Sequence, residues 1–438
     1  MSWAPAPTKG VITLATAEKV YKVRNGQKTK QFSWRCVYIK PDGNRGFKPG
    51  FPTLRKAKDW GNAEEAKVKA GTWIDPDLAT LQFGTWAREW MGEKAPRGRT
   101  TTTRWEKLEA HILPRWEHVP LRQINWFDAE NWANRVGEAA DDGTASKCLT
   151  IMSQMLTGAV DAKKLESNPL AGRRRSRTAA IKAKNQVKQA AKSKAPATPE
   201  QVLLLARRVG PLDGMHVLTT GFLGPRWGEG IAFIRASRGT REEAHRGGIW
   251  TCPTLMVRDE VAEYQIRDPK TGKKGPIFFG LEPVKTDGSL RDIDVPPFLD
   301  ALLDEHEARL PAHIDTLFCT RSGVWWRNSN FGRQVMRPGA DGREPLPKVK
   351  GHRPREGWDP IVPGLTMDFL RHLHDSLQAE LKVAEPLAYE QAGHVRAGIK
   401  AVYQHPTVES RIERLAGLQG IFEKAMATLG WDRIWEQS

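Results

Sequence analysis

The spacing of apolar and polar positions changes period several times along the chain. Across residues 17–50 it alternates: Trp34, Cys36 and Tyr38 fall to one side, Arg35, Val37 and Ile39 to the other, and Pro41, Asp42 and Gly43 supply a turn. At Thr53 the period lengthens. Thr53 reads as an N-cap, and Leu54, Ala57 and Trp60 share a helical face that runs to about Gly71. Residues 1–75 are therefore expected to form a small β-sheet closed by one helix.

A second module is expected over residues 81–172. Phe83, Trp86 and Trp90 stand at i, i+3 and i+7, the spacing of a buried helical stripe. A threonine run, Thr100 to Thr103, precedes a helix with Trp105, Leu108 and Ile112 that should stop at Pro114. Asn125 to Val136 and Ala145 to Leu165 read as two further helices, the longer one ending at Asn168 and Pro169. The tryptophans in these stripes read as core rather than as base-stacking platforms.

Residues 173–198 carry Arg173, Arg174, Arg175 and Arg177, then Lys182, Lys184, Lys188, Lys192 and Lys194 among Ala, Gln and Ser. Ile181 and Val187 are their large apolar residues, too few for a core, so this is read as a basic linker, at most partly helical. Thr198, Pro199 and Gln201 then supply an N-cap, a proline at N1 and a glutamine at N3, opening a helix over residues 202–209 and a domain expected to span 199–430. The fold class is α+β and multidomain, the last domain mainly helical with a small sheet.

Composition sharpens this picture. A chain of 438 residues is long for one domain, and 39% hydrophobic residues suffice to build cores. Lys and Arg total 68 against 51 Asp and Glu, a formal charge of +17, which favours a polyanionic partner, most commonly nucleic acid. Lys28, Lys30 and Arg35 on the first sheet, and Arg173, Arg174, Arg175, Arg177, Lys182 and Lys184 in the linker, are the candidate DNA contacts. Cys36, Cys148, Cys252 and Cys319 are far apart and suggest neither a zinc site nor a disulfide framework. The start has no signal-peptide architecture and no apolar run approaches ~18 residues, so a cytoplasmic protein with no membrane partner is expected.

Candidate chemistry lies near the C-terminus. Gly393 and His394 are followed nine residues later by Tyr403, one of five tyrosines, and two residues on by His405. A phenol, with a free pKa of about 10, becomes a nucleophile only where its oxyanion is favoured. Cations near Tyr403 would do that and would bind a phosphate as well. Alone, the pattern also fits a structural tyrosine beside a capping glycine. The same domain carries Arg226 and Glu229 at a turn between two helices, and Lys285 on an expected β-hairpin over residues 282–296 turning at Asp287 and Gly288. It also carries Asp368, Arg371 and His374 at i, i+3 and i+6 on a helix start.

Taken in order, Arg226-Trp227-Gly228-Glu229, Lys285, Thr366 to His372 and Gly393-His394…Tyr403-Gln404-His405 resemble the ordered boxes of the tyrosine recombinases, the phage-type integrases. Residues 318–324 and 328–331 resemble the family's segment between the lysine and the second arginine. Residues 1–75 resemble an arm-type DNA-binding domain, and 81–172 the helical core-binding domain. The resemblance implies a site-specific recombinase that cuts and rejoins DNA through a 3′-phosphotyrosyl link, integrating or excising a mobile element. Tyr403 would be the nucleophile, Arg226, Arg371 and His394 would hold the phosphate, and Lys285 would protonate the leaving 5′ oxygen, with no metal or other cofactor. Asp368 stands where the family usually has a histidine base. The implied partners are double-stranded attachment-site DNA, three further copies in a tetramer with the C-terminal helix (about residues 410–429) docked on a neighbour, an excisionase and a host DNA-bending protein, in the nucleoid of a bacterial host. Two other readings share these residues: a DNA-binding protein that has lost catalysis through Asp368, and a type IB topoisomerase-like swivelase.

Overall fold

The computed structural model describes the chain except for residues 1–14, 25–26, 72, 74, 76–79, 94–97, 193–196, 348–353, 395–404 and 436–438. It divides into two compact units. The first comprises Met1–Ala190 with Ile266–Gly275, and the second Ala191–Gln265 with Pro276–Ser438.

The first unit begins with an antiparallel sheet in the order β1 (Thr16–Arg24), β2 (Gln27–Ile39), β3 (Arg45–Phe51). Helix α1 (Leu54–Lys69) covers one face, capped by the Thr53 hydroxyl, which accepts from the Lys56 amide. Cys36, Tyr38 and Ala57 are buried between them, with Trp34, Phe51 and Trp60 packed around. The alternation of Trp34, Cys36 and Tyr38 thus marks the covered face.

Helices α2 (Phe83–Glu93), α3 (Gly98–Lys107), α4 (Leu113–Trp116), α5 (Trp126–Ala139) and α6 (Asp142–Asp161) follow. Trp86, Trp90, Trp105, Trp116 and Trp132 all lie in their common core. The threonine run does not precede a helix but forms part of α3, where Thr102 and Thr103 satisfy their hydroxyls on carbonyls four residues back. Pro114 does not stop the helix either. A π-helical turn over Leu108–Ile112 shifts the hydrogen-bond register, so Pro114 falls in the first turn of α4, where its missing N–H is tolerated. The long α6 ends at Asp161, earlier than Leu165, and Lys163 turns the chain with a positive φ of 55°.

Within the described part of the basic stretch, helix α7 (Ala179–Lys192) forms and Ile181 is buried.

In the second unit, α8 (Pro199–Val209) opens with the expected reciprocal capping box between Thr198 and Gln201. It leads into the almost fully buried α9 (Pro211–Leu223) and the short α10 (Trp227–Ile231). The strands are β4 (Arg238–His245), β5 (Gly248–Val257), β6 (Asp259–Arg267), β7 (Lys274–Pro283) and β8 (Arg291–Asp294). β4, β5 and β8 form one sheet, while β6 and β7 pair with each other. The hairpin expected over residues 282–296 is therefore absent: its two arms belong to different sheets, and Asp287–Ser289 is a 3-10 turn rather than a tight β-turn. A strand's partner is set by non-local register, which an Asp-Gly signal cannot reveal.

The remaining helices are α11 (Pro297–Arg309), α12 (Asn328–Phe331), α13 (Arg337–Ala340), α14 (Met367–Glu380), α15 (Glu385–Ala392) and α16 (Val408–Leu429). Helix α16 packs within its own unit. Leu418, Ala425 and Met426 are in the main core, Phe422 stacks on Phe298 with centroids 3.9 Å apart, and Arg411 reaches buried Asp294 at 2.8 Å. Its apolar stripe is thus occupied within this unit. Among the described residues no helix is long and apolar enough to cross a membrane.

Candidate active site

Two chain reversals and a capped helix start bring the candidate residues together. Helix α9 ends at Gly224, whose φ of 67° is a left-handed conformation that suits glycine. Arg226 follows directly, at the N-cap of α10. Helix α15 ends the same way at Gly393, φ 65°, which presents His394. Helix α14, capped by the Thr366 hydroxyl, places Arg371 one turn in.

The contacts interlock. Arg371 donates through Nη1 to the Gly224 carbonyl and through Nη2 to the Ala392 carbonyl at 2.7 Å. Its Nη2 also lies 3.3 Å from His394 Nε2. Arg226 donates through Nη2 to the Gly393 carbonyl at 3.2 Å and through Nη1 to Glu229 Oε1 at 2.7 Å. Arg226, Arg371 and His394 are thus assembled from three separate sequence boxes. A guanidinium has no acceptor, so His394 Nε2 accepts from Arg371 and the ring proton sits on Nδ1. Burial, then the charges of Arg371 and Arg226, hold the imidazole below its ordinary pKa, in the neutral form. Burial and the nearby Arg226 likewise disfavour the charge on Arg371.

Beneath these groups lies a residue that sequence reasoning passed over. Arg291, at the start of β8, is 2% exposed in its side chain, as is Glu229, and its Nη2 donates to Glu229 Oε2 at 2.8 Å. Its Nε donates to the Gln391 carbonyl at 2.9 Å and its Nη1 to the Ser289 carbonyl at 3.0 Å. Glu229 also accepts from the Arg226 backbone N–H at 2.9 Å. The carboxyl, lowered to about 2 by its two arginines against the cost of burial, is ionised. Three guanidinium groups around one carboxylate leave an excess of positive charge, an arrangement suited to an oxyanion.

The other candidates fall differently. Lys285 is exposed on the turn after β7, and its ammonium has no hydrogen-bond or ion-pair partner among the described residues. Asp368 is exposed in the first turn of α14, where its charge favours the helix N-terminus, and it makes no ion pair with Arg371 among the described residues. His374 is fully buried, with Nδ1 2.8 Å from the Phe222 carbonyl, and burial drives its pKa to about 3. It is a core residue under Gly224 rather than a surface acid or base. Tyr403 lies outside the described residues.

The basic candidates also separate. Arg173, Arg174, Lys182, Lys28 and Lys30 are exposed. Arg175 turns inward to Asp142 and to the Ala133 carbonyl, and Arg177 reaches Asp142 at 2.7 Å. Lys184 donates to the Glu138 and Ala140 carbonyls, closing the C-terminal end of α5. Arg35 pairs with Glu18 at 2.6 Å and lies over the Phe47 ring.

Over about three quarters of the chain the fold is similar to that of a solved integrase. The Tn1549 transposon integrase, solved in complex with a circular intermediate DNA, aligns over 76% of this chain and 98% of its own at a TM-score of 0.50, with 15% identity. A second structure of that integrase with such DNA covers 75% and 96%, also at 0.50 and 15% identity. By sequence, the chain is homologous to a protein of Mycobacterium tuberculosis assigned as the prophage phiRv2 integrase: 22% identity over 390 residues, 88% of this chain and 92% of the relative. No family model matches the chain.

Proposed function

We propose that this chain is a site-specific DNA recombinase that integrates or excises a mobile element through a 3′-phosphotyrosyl intermediate. The observation that carries the reading is the convergence of Arg226, Arg371 and His394 on one spot, with Glu229 as the carboxylate in contact, in a chain similar to integrases over most of its length.

In this reading the Tyr403 phenol oxygen attacks the phosphorus of a DNA phosphodiester. The bond to the 5′ oxygen breaks as the bond to tyrosine forms. Arg226 and Arg371 exchange their carbonyl partners for the nonbridging oxygens, and His394 donates once protonated. Lys285 gives its proton to the leaving 5′ oxygen, and Asp368 accepts the phenol proton. The phosphotyrosyl bond retains the energy of the broken diester, so a 5′-hydroxyl from another strand can reverse the step without a nucleotide cofactor.

Residues 1–75 would bind arm-type sites, 81–172 the core site, 173–198 would lie along the phosphate backbone through Arg173, Arg174 and Lys182, and 199–430 would do the chemistry. Lys28, Lys30 and Arg35 would serve the arm contact. A homotetramer on two duplexes, an excisionase and a host bending protein complete the reading, on DNA in the bacterial nucleoid.

Covalent trapping tests it. Wild type and Tyr403→Phe are incubated with nicked duplexes tiled across the DNA flanking the gene, and protein–DNA adducts that survive denaturation are sought. An adduct with wild type that Tyr403→Phe lacks is expected. Retained DNA binding with no adduct from wild type, but one from Asp368→His, would instead identify a DNA-binding protein that has lost its base.

A further inference from the structure

We infer that Arg291 is the positioning residue of the anion cluster, fixing Arg226, the His394 turn and the Lys285 turn relative to one another from below. The inference deepens the recombinase reading and rests on it for the identity of the anion, a DNA phosphate.

All three nitrogens of the Arg291 guanidinium are used, each on a different part of the site. Nη2 takes Glu229 Oε2, the carboxylate whose other oxygen holds Arg226. Nε takes the Gln391 carbonyl, two residues before Gly393. Nη1 takes the carbonyl of Ser289, in the turn that begins at Lys285 and that Thr286 closes by accepting from the Ser289 amide at 2.8 Å. The fork geometry is rigid, so these three segments cannot drift independently.

The charge argument points the same way. Glu229 is shared: Arg226 reaches Oε1 while Arg291 occupies Oε2. Without Arg291, Glu229 Oε2 would keep only the Arg226 backbone N–H, and its freed lone pair could take the Arg226 guanidinium as well, drawing that group from the surface, where it is 38% exposed, toward the core. Arg291 therefore keeps Arg226 only partly neutralised and available to an incoming phosphate. Gly393 completes the fit, since a Cβ there would lie 2.6 Å from Arg291 Nη1.

The lysine variant discriminates this role from simple core filling. In Arg291→Lys an ammonium can still pair with Glu229, but a single nitrogen cannot also span the Gln391 and Ser289 carbonyls. Arg291→Met removes all three bonds. Both are made in the full chain, and each is checked by circular dichroism and thermal melting. Inorganic phosphate is titrated in, followed by the His394 imidazole resonance, which needs no DNA site. In wild type, phosphate should raise the His394 pKa, because it displaces Arg371 from Nε2 and favours the imidazolium. In Arg291→Lys that response should weaken by about tenfold or more, the range typical of a lost orienting partner, and the pH profile of cleavage should shift with it. An unchanged His394 titration and phosphate affinity in a folded Arg291→Lys or Arg291→Met chain overturns the inference. So does failure of both variants to fold, which would make Arg291 a folding determinant. Loss of DNA trapping by wild type, with the phosphate response intact, would sink the recombinase reading and leave the positioning role standing.

Discussion

Arg226 and Glu229, three residues apart, are joined twice: the guanidinium donates to Oε1 at 2.7 Å, and the Arg226 backbone N–H donates to Oε2 at 2.9 Å. The same carboxylate is the counter-ion of buried Arg291. Glu229→Gln would leave Arg291 buried without a balancing charge, so a loss of about 3–5 kcal/mol is expected in urea denaturation. The pH dependence follows from the depressed pKa. The folded carboxyl titrates near 2, below its ordinary 4.5, so the unfolded chain binds the proton first. This stabilisation is present above about 4.5 and is lost as pH falls toward 2. Glu229→Gln should flatten that part of the stability profile; a profile like that of wild type would show that the carboxylate carries no such coupling.

Asp368 offers a test of charge at the mouth of the site. It is exposed, in the first turn of α14 and one turn before Arg371. Its charge should stabilise the helix by about 0.3–1 kcal/mol and repel an anion bound by Arg371. Asp368→Asn is expected to lower the melting temperature slightly while tightening inorganic phosphate about twofold to fivefold at low ionic strength. Weaker phosphate binding in the variant would mean that the carboxylate organises the site rather than opposing the anion.

The boxes that form the site were legible because each is local. The Thr198 capping box, the turn that carries Arg226 and Glu229, the glycine at 393 and the placing of Arg371 all depend on residues within one turn. Arg291 was not legible in that way, because an arginine on a strand reads as surface. A signal was present nonetheless: Arg291 stands two residues before Ile293 on β8, and both are buried while Asp292 between them is only half-buried, so the arginine shares the face of a core residue. The Lys285 hairpin failed for the opposite reason. Its Asp-Gly turn signal is local, but β7 and β8 take different partners far along the chain. The inward turn of Arg175 likewise depends on Asp142, which lies 33 residues away.

Gly224 is constrained by two separate features, and they can be told apart. Its φ of 67° disfavours a side chain, and a Cβ would lie 2.5 Å from Cδ2 of fully buried His374. Gly364 shares the first feature, with φ of 80°, but has open space around it. Gly364→Ala should therefore cost only the backbone term, on the order of 1 kcal/mol. Gly224→Ala should cost clearly more, because His374 must move off the Phe222 carbonyl, and it should also weaken phosphate binding by displacing the carbonyl that holds Arg371. Equal losses in chemical denaturation of the two variants would show that the close approach is relieved without cost.

His216 makes the strongest acid-sensitivity prediction. The ring is fully buried against Trp227, Phe318 and Phe331, and neither nitrogen has a hydrogen-bond partner among the described residues. Burial, with a smaller contribution from nearby His306, drives its pKa to about 3. In the unfolded chain the imidazole returns to about 6.5 and takes up a proton that the folded state refuses. Between those values, folding stability should fall by about 1.4 kcal/mol for each unit of acidification from this one group. His216→Leu has nearly the same volume and no polar atoms to leave unsatisfied, so it should stabilise the chain at pH 7 by about 1–3 kcal/mol. Its advantage should widen as pH drops below 6.5. Acid sensitivity should not vanish, because buried His374 and His306 are also held neutral. Denaturation of both chains at pH 7.5 and 5 decides the matter. A constant difference between them would mean that His216 finds a proton acceptor, or water, that keeps its pKa near the unfolded value.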